Sequence, residues 1–248
     1  MSDGLLIVNA DDWGSEESKS AAIHIAFESG AISSASAMVY MEDSDRAAAL
    51  GLREQFALGL HLNLTQPFSD PRTPPAVRAR QERLLEHFEN TGRRRRTFDP
   101  RVRSAVRAAI ADQLARYHEL YGHVPDHVDG HEHVHICLDV LLALPRGLKI
   151  RPGMSSTKGT GAAGVVGAAR EALIRARLLR APSKAFGLGD LWTAPGDALE
   201  RVLSLSRNES VEIMCHPDRP ADKEALVSDR WHQALASSPL GTFAQLGA

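Results

Sequence analysis

In the stretch LLIVNADDWG at residues 5–14, four apolar residues run into Asn9, Ala10 and two adjacent carboxylates, Asp11 and Asp12. Single histidines end two other apolar runs, His61 in FALGLHL and His216 in VEIMCH. A third group, HVDGHEHVH, begins at His127 and carries Asp129 together with His131, His133 and His135. Arg151 follows the short apolar stretch from Leu148. These residue types suit a catalytic divalent-metal site, which takes three ligands from histidine and carboxylate and keeps one position for water. A second acid beside the ligands could take a proton from metal-bound water, whose pKa the ion lowers. A further histidine could protonate a leaving amine, and an arginine could pair with and orient the base.

Each feature also has a structural reading. Paired Asp residues at a strand end often form a turn or a helix N-cap. His61 alone, on an apolar run, is compatible with a core position. Clustered imidazoles point more strongly to metal. In an extended chain His131, His133 and His135 fall on one side, with the first placed to reach an ion. His118, His123 and His127 have weaker claims, and Arg151 before Pro152 would also serve to stop a strand. Cys215 lies in an apolar run and reads as a buried thiol rather than a nucleophile.

The elements that must position these residues follow from periodicity. Leu5–Ala10 reads as a strand buried on both faces, Glu16–Ser29 as a helix stopped by Gly30, and Ser36–Tyr40 as a second strand. A helix over Asp45–Arg53 and a third strand over Phe56–Leu62 continue the alternation, which is that of a parallel sheet with crossover helices. Pro67–Pro75 reads as a loop and Arg93–Arg96 as a solvated basic run. Val102, Val106, Ile110, Leu114 and Tyr117 recur at helical spacing within Arg101–Tyr121. Leu148–Arg151 and Val211–His216 complete the strands. Gly159–Gly164 matches G-x-G-x-x-G, but it starts eight residues beyond Arg151 and lacks a placed acidic partner, so it reads as a loop. Asp11–Asp12, His61, Asp129–His131, Arg151 and His216 thus all fall at or just after strand C-termini, the face on which parallel α/β proteins build their sites.

Composition sets the outer bounds. The 248 residues are 43% hydrophobic and 24% charged, an ordinary globular mix with length enough for a full core. Lys plus Arg number 29 against 31 Asp plus Glu, a balance that gives no reason to expect a nucleic-acid partner. The apolar stretches are strand-sized, which argues against a membrane span, and the N-terminus has no basic n-region. Two cysteines, Cys137 and Cys215, argue against a disulfide framework, and together these features favour a cytoplasmic location. Aromatic residues, at 5%, offer little material for an extended sugar-stacking platform.

NADDWG, GLHLNLT, HVDGHEHVH and EIMCHP, in this order and spacing, resemble the YdjC-like carbohydrate deacetylases, a family that includes chitooligosaccharide deacetylases and deacetylases of hopanoid biosynthesis. The likeness runs from Leu5 to Asp218, with a poorly matched gap between Gln66 and Arg101. It implies an α/β fold, a distorted TIM-like (β/α) barrel of mostly parallel strands with outer helices, formed by one domain over residues 1–248. It also implies metal-dependent hydrolysis of the N-acetyl group of an N-acetylated amino sugar, releasing acetate. Carried over by motif, Asp12, His61 and His131 are the metal ligands, Asp11 the catalytic base, His216 the general acid and Arg151 the residue that orients the base. One divalent ion, zinc or magnesium, with manganese or cobalt as further options, is the implied cofactor, and a homodimer the implied assembly. Trp13 stands where many relatives have Phe, and Glu132 where they often have His, changes that would reshape a sugar pocket. The Gly-rich loop at residues 153–167 has no counterpart in the family pattern. Two competing readings are a metal-dependent hydrolase of another amide or of a phosphate ester, and a non-catalytic glycan-binding relative.

Overall fold

A computed structural model describes residues 4–89, 97–155, 172–174, 176 and 180–246. Its organising element is β1 (Leu5–Trp13), which is paired on both edges. One edge carries β2 (Ser34–Ala37), followed outward by β3 (Leu58–Leu62) and β4 (Val128–Gly130). The other carries β6 (Ser210–Cys215) and then β5 (Lys184–Gly187), while β7 (Leu240–Gly241) pairs with Leu6 and Ile7. Every one of these pairings is parallel. Bridges from Val128 to Ile150 and from Met154 to Ala185 link the two edge strands through the segment 150–154, so the sheet curves into a distorted barrel.

Helices cover the outside, as parallel connections require. Glu17–Glu28 (α1) joins β1 to β2, and Ser44–Glu54 (α2) joins β2 to β3. Pro75–Phe88 (α3) and Arg103–Tyr121 (α4) lie between β3 and β4. The alternation along β1 shows how the sheet is sealed. Leu6, Val8 and Ala10 face the main core beneath the helices, whereas Ile7 joins Phe243 and Leu246 in a separate apolar plug. Above that plug the same inward face turns polar, with Asn9 and then Asp11, both buried.

Several expected elements shift. The second strand begins at Ser34 and ends at Ala37, because Tyr40 sits at φ 63, a left-handed conformation that no strand continues. His131–Ile136 is a 3₁₀ turn and not an extended run: Glu132 and His133 take φ of 51 and 54, so the histidines splay instead of lining one side. Leu148–Arg151 contributes only isolated bridges at Lys149 and Ile150. The strand Lys184–Gly187 had no recognisable signal. Arg93–Arg96 and Gly159–Gly164 lie outside the described residues. Among the described residues no helix is long and apolar enough to cross a membrane.

Candidate metal centre and active site

The adjacent acids reach one site because β1 is bulged beneath them. β1 and β2 pair at Ala10–Ala35 and again at Trp13–Ala37, so three steps on β1 match two on β2. The extra residue is accommodated by Asp12, whose φ is 74. Neighbours on a regular strand point to opposite faces; a bulge re-aims one of them. Both carboxylates consequently meet the same imidazole. Asp11 Oδ2 lies 4.0 Å from His61 Nδ1, and Asp12 Oδ1 lies 3.3 Å from His61 Nε2.

Strand register supplies the next partner. His61 on β3 is paired with Asp129 on β4, and its Nδ1 lies 2.8 Å from Asp129 Oδ1 and 3.2 Å from Ser36 Oγ. Arg151 completes the deep side of the cluster. Its Nη1 donates to Asp11 Oδ2 at 2.7 Å and its Nη2 to Asp11 Oδ1 at 2.6 Å, a bidentate pair. Nη2 also lies 2.6 Å from Asp129 Oδ2, and Nε donates to Glu212 Oε1 at 2.6 Å. Asn9 Nδ2 donates to Asp11 Oδ1 at 3.1 Å. All these residues are buried.

His131 is fixed from the loop after β3. Asn63 Oδ1 accepts the backbone N–H of Thr65 and of Gln66, and the Asn63 backbone is held in turn by the Gln113 side chain. That turn brings Thr65 Oγ1 to 2.7 Å from His131 Nδ1. The His61 and His131 rings stand edge to face with centroids 6.1 Å apart. Both imidazoles are therefore tied through Nδ1, and Nε2 of His61 faces Asp12 Oδ1. His216 follows β6, its backbone N–H donating to Asp222 Oδ2 at 2.7 Å.

The electrostatics follow from burial and charge. Burial opposes ionisation of Asp11, but Arg151 and His61 outweigh it and hold the carboxyl well below the usual range. Burial likewise opposes charge on His61, yet Asp129, Asp11 and Asp12 raise its pKa to about 9. Against the same penalty, Arg151 and His61 lower Asp129 to about 2. Burial dominates at Glu212, which rises to about 7 despite Arg151, and it lowers His131 and His216. Four carboxylates, Asp11, Asp12, Asp129 and Glu212, thus contact one guanidinium and one ammonium, that of Lys19, which lies 3.2 Å from Asp12 Oδ2. The carboxylates therefore outnumber the two permanent cations, and the raised pKa of His61 reflects that excess of negative charge.

One set of three donors among the described residues comes within metal-ligand spacing. Donor atoms of Asp11, His61 and Asp129 lie within 4.8 Å of one another, but both carboxylates there are already engaged by Arg151. On the opposite side of His61, Asp12 Oδ1 is buried and makes no hydrogen bond. Of the residues singled out in the sequence, Asp11, Asp12, His61 and Arg151 converge directly. His131 and His216 flank them, each within electrostatic range of Asp12 and His61. His135 and His127 are buried with no hydrogen bond at either ring nitrogen, although His127 Nε2 lies 3.9 Å from Asp129 Oδ2. Sequence reasoning gave no role to Asp129 or Glu212. The signal for Glu212 was present, since a lone acid in the apolar run VEIMC must face something polar when buried.

The family model of YdjC-like proteins matches residues 5–240. The chain belongs to the YdjC-like family. It is similar to a carbohydrate deacetylase of Danio rerio, 33% identical over a stretch covering 54% of this chain and 43% of that protein. A chitooligosaccharide deacetylase of Serratia marcescens is 29% identical over 86% of this chain and 81% of its own length. The match spans about half the length or less of several such relatives, 43% for the Danio rerio protein. In fold, this YdjC-like chain is similar to a crystal structure from Enterococcus faecalis, provisionally named a cellobiose-phosphate cleavage protein. The TM-score is 0.73 at 21% identity, with 98% of each chain covered. The distorted barrel is thus shared by a protein with little remaining sequence likeness.

Proposed function

We propose that this chain is a metal-dependent hydrolase that removes the N-acetyl group from an amino sugar, with Asp12, His61 and His131 as the metal ligands. Support comes from one observation above all. Asp12 Oδ1 makes no hydrogen bond and lies 3.3 Å from His61 Nε2, while the neighbouring acids Asp11, Asp129 and Glu212 are each held by Arg151. Carboxylate and hydroxyl partners behind metal-ligating histidines fix ring orientation in this way. Two imidazoles and a carboxylate suit zinc, and magnesium, manganese and cobalt also accept such donors in an open site. The relatives' deacetylase names favour an acetylated carbohydrate as substrate, and the main apolar core running through the described residues favours a single domain.

A divalent cation at this site would polarise the acetyl carbonyl and lower the pKa of water beside it. Asp11, held bidentately by Arg151, would serve as the base that accepts a proton from the attacking water. His216 then donates a proton to the amide nitrogen as the C–N bond breaks, giving acetate and a free amine. Arg151 keeps Asp11 in one orientation throughout, and burial keeps bulk water from competing for its charge.

Acetate release from a panel of N-acetylated sugars, before and after chelation and add-back of single metals, tests the reading. Asp11→Asn should retain bound metal while turnover falls by roughly 10² or more, as for a lost general base. Turnover near the wild-type level in that variant would remove Asp11 from the mechanism.

A further inference from the structure

Glu212 is a buried acid in the barrel interior to which the proposed chemistry gives no role. It stands on β6 opposite Ile7 of β1, four residues before His216, which follows the strand. For stability alone it is a poor choice. Asp11 and Asp129 already outnumber the single guanidinium, and burial drives the Glu212 carboxyl up to about 7. A costly buried charge of this kind points to function.

Its geometry indicates which function. The bidentate fork fixes Asp11 relative to the guanidinium, but it does not fix the guanidinium relative to the barrel. The arginine stem has several rotatable bonds, and Nε is the donor on the stem side. Glu212 Oε1 holds that donor at 2.6 Å. Arg151 is consequently gripped from three strands at once, by Asp11 of β1, Asp129 of β4 and Glu212 of β6. We infer that Glu212 is a positioning residue: by holding the Nε edge of Arg151 it sets where the Arg151–Asp11 pair presents Asp11 to the reacting water. This inference rests on the deacetylase reading for its kinetic consequence, and on the structure alone for its geometric one.

The test uses Glu212→Leu, which removes the acceptor, and Glu212→Gln, which keeps an Oε1 for the Nε–H. Misplacement of a catalytic group by about 1 Å costs on the order of 10² in rate. Glu212→Leu should therefore lower kcat by roughly 30- to 100-fold per metal-loaded molecule, with KM and divalent-cation affinity within about twofold of wild type. Glu212→Gln should stay within about fivefold of wild type in kcat. A wild-type kcat in folded Glu212→Leu, or an equal loss in both variants, would overturn the positioning role. If Glu212→Leu does not fold, Glu212→Asp, one methylene too short to reach Nε, must show the same kcat loss, and wild-type turnover there would overturn it equally. A crystal structure of the same variant gives a check that needs no substrate. Displacement of the Asp11 carboxylate from His61 by more than about 0.5 Å is expected, and an unmoved Asp11 defeats the inference. Wild-type protein that releases no acetate from any N-acetylated sugar defeats the deacetylase reading instead, and leaves this geometric outcome to decide the role of Glu212.

Discussion

At the scale of single residues, the site works by giving each reactive group a fixed second partner. His61 leans on Asp129, His131 on Thr65 and Asp11 on Arg151. The Thr65 contact allows a clean prediction, because valine reproduces its shape without the hydroxyl. Thr65→Val should weaken divalent-cation binding about 10-fold, the lower end of what lost partners of ligating histidines cost, and Thr65→Ser should restore it. Calorimetric titration with zinc and with magnesium would measure both; equal affinities across the three proteins would show that His131 needs no such support. The residues that converge, Asp11, Asp12, His61 and Arg151, were legible in the sequence, since charged groups and imidazoles at the ends of buried apolar runs stand out. Their partners were less so. Thr65 and Ser36 are unremarkable residue types, and Asp129 acquires its role only through the β3–β4 register that sets it against His61.

At the scale of elements, the strands owe their legibility to burial on both faces, which writes them as continuous apolar runs. That held for β1, β3 and β6. It failed for Lys184–Gly187, whose four residues carry too little pattern, and for HEHVHI, whose alternation imitates a strand while its backbone coils through two left-handed residues. Close packing between strands is likewise invisible in sequence. Gly59 is two residues before His61 on the same face of β3, and a Cβ there would lie 2.3 Å from the His127 ring. That ring is stacked on Phe243 with centroids 3.6 Å apart, so it has nowhere to retreat. Gly59→Ala should therefore destabilise the fold by about 1–3 kcal/mol, the usual cost of overpacking. Displacement of β3 should also weaken divalent-cation binding through His61. Urea midpoints together with metal titration would check both effects, and an alanine variant as stable as wild type would mean that the His127 ring moves freely.

For the molecule as a whole, a polar barrel interior sealed by an apolar plug makes stability depend on pH. His127 is buried with neither ring nitrogen hydrogen-bonded, and burial pushes its pKa down to about 4, against the pull of Asp129. His135 is shifted in the same direction, well below its ordinary value, again chiefly by burial. Both have folded pKa values below the unfolded one, so between the two the unfolded chain binds protons that the folded chain refuses. Their effect is complete above about pH 6.5 and grows as destabilisation while pH falls toward 4. His61 acts oppositely, because its raised pKa adds stability below about pH 6.5 that is lost as pH rises through 9. Asp11 and Asp129 enter only below the ordinary carboxylate range, where their protonation removes stability further. The metal-free protein should consequently lose stability on the acid side as the two histidines charge, partly offset between about pH 7 and 4.5 by Glu212, whose raised pKa makes the folded chain bind a proton that the unfolded chain releases. Between pH 7 and pH 5 His127 alone should account for roughly 2 kcal/mol. His127→Phe, which keeps a ring against Phe243, should lessen that acid slope without altering the alkaline one. Denaturant midpoints measured at half-unit pH steps would show this, and an unchanged acid slope would place the sensitivity elsewhere than the buried imidazole at the base of the barrel.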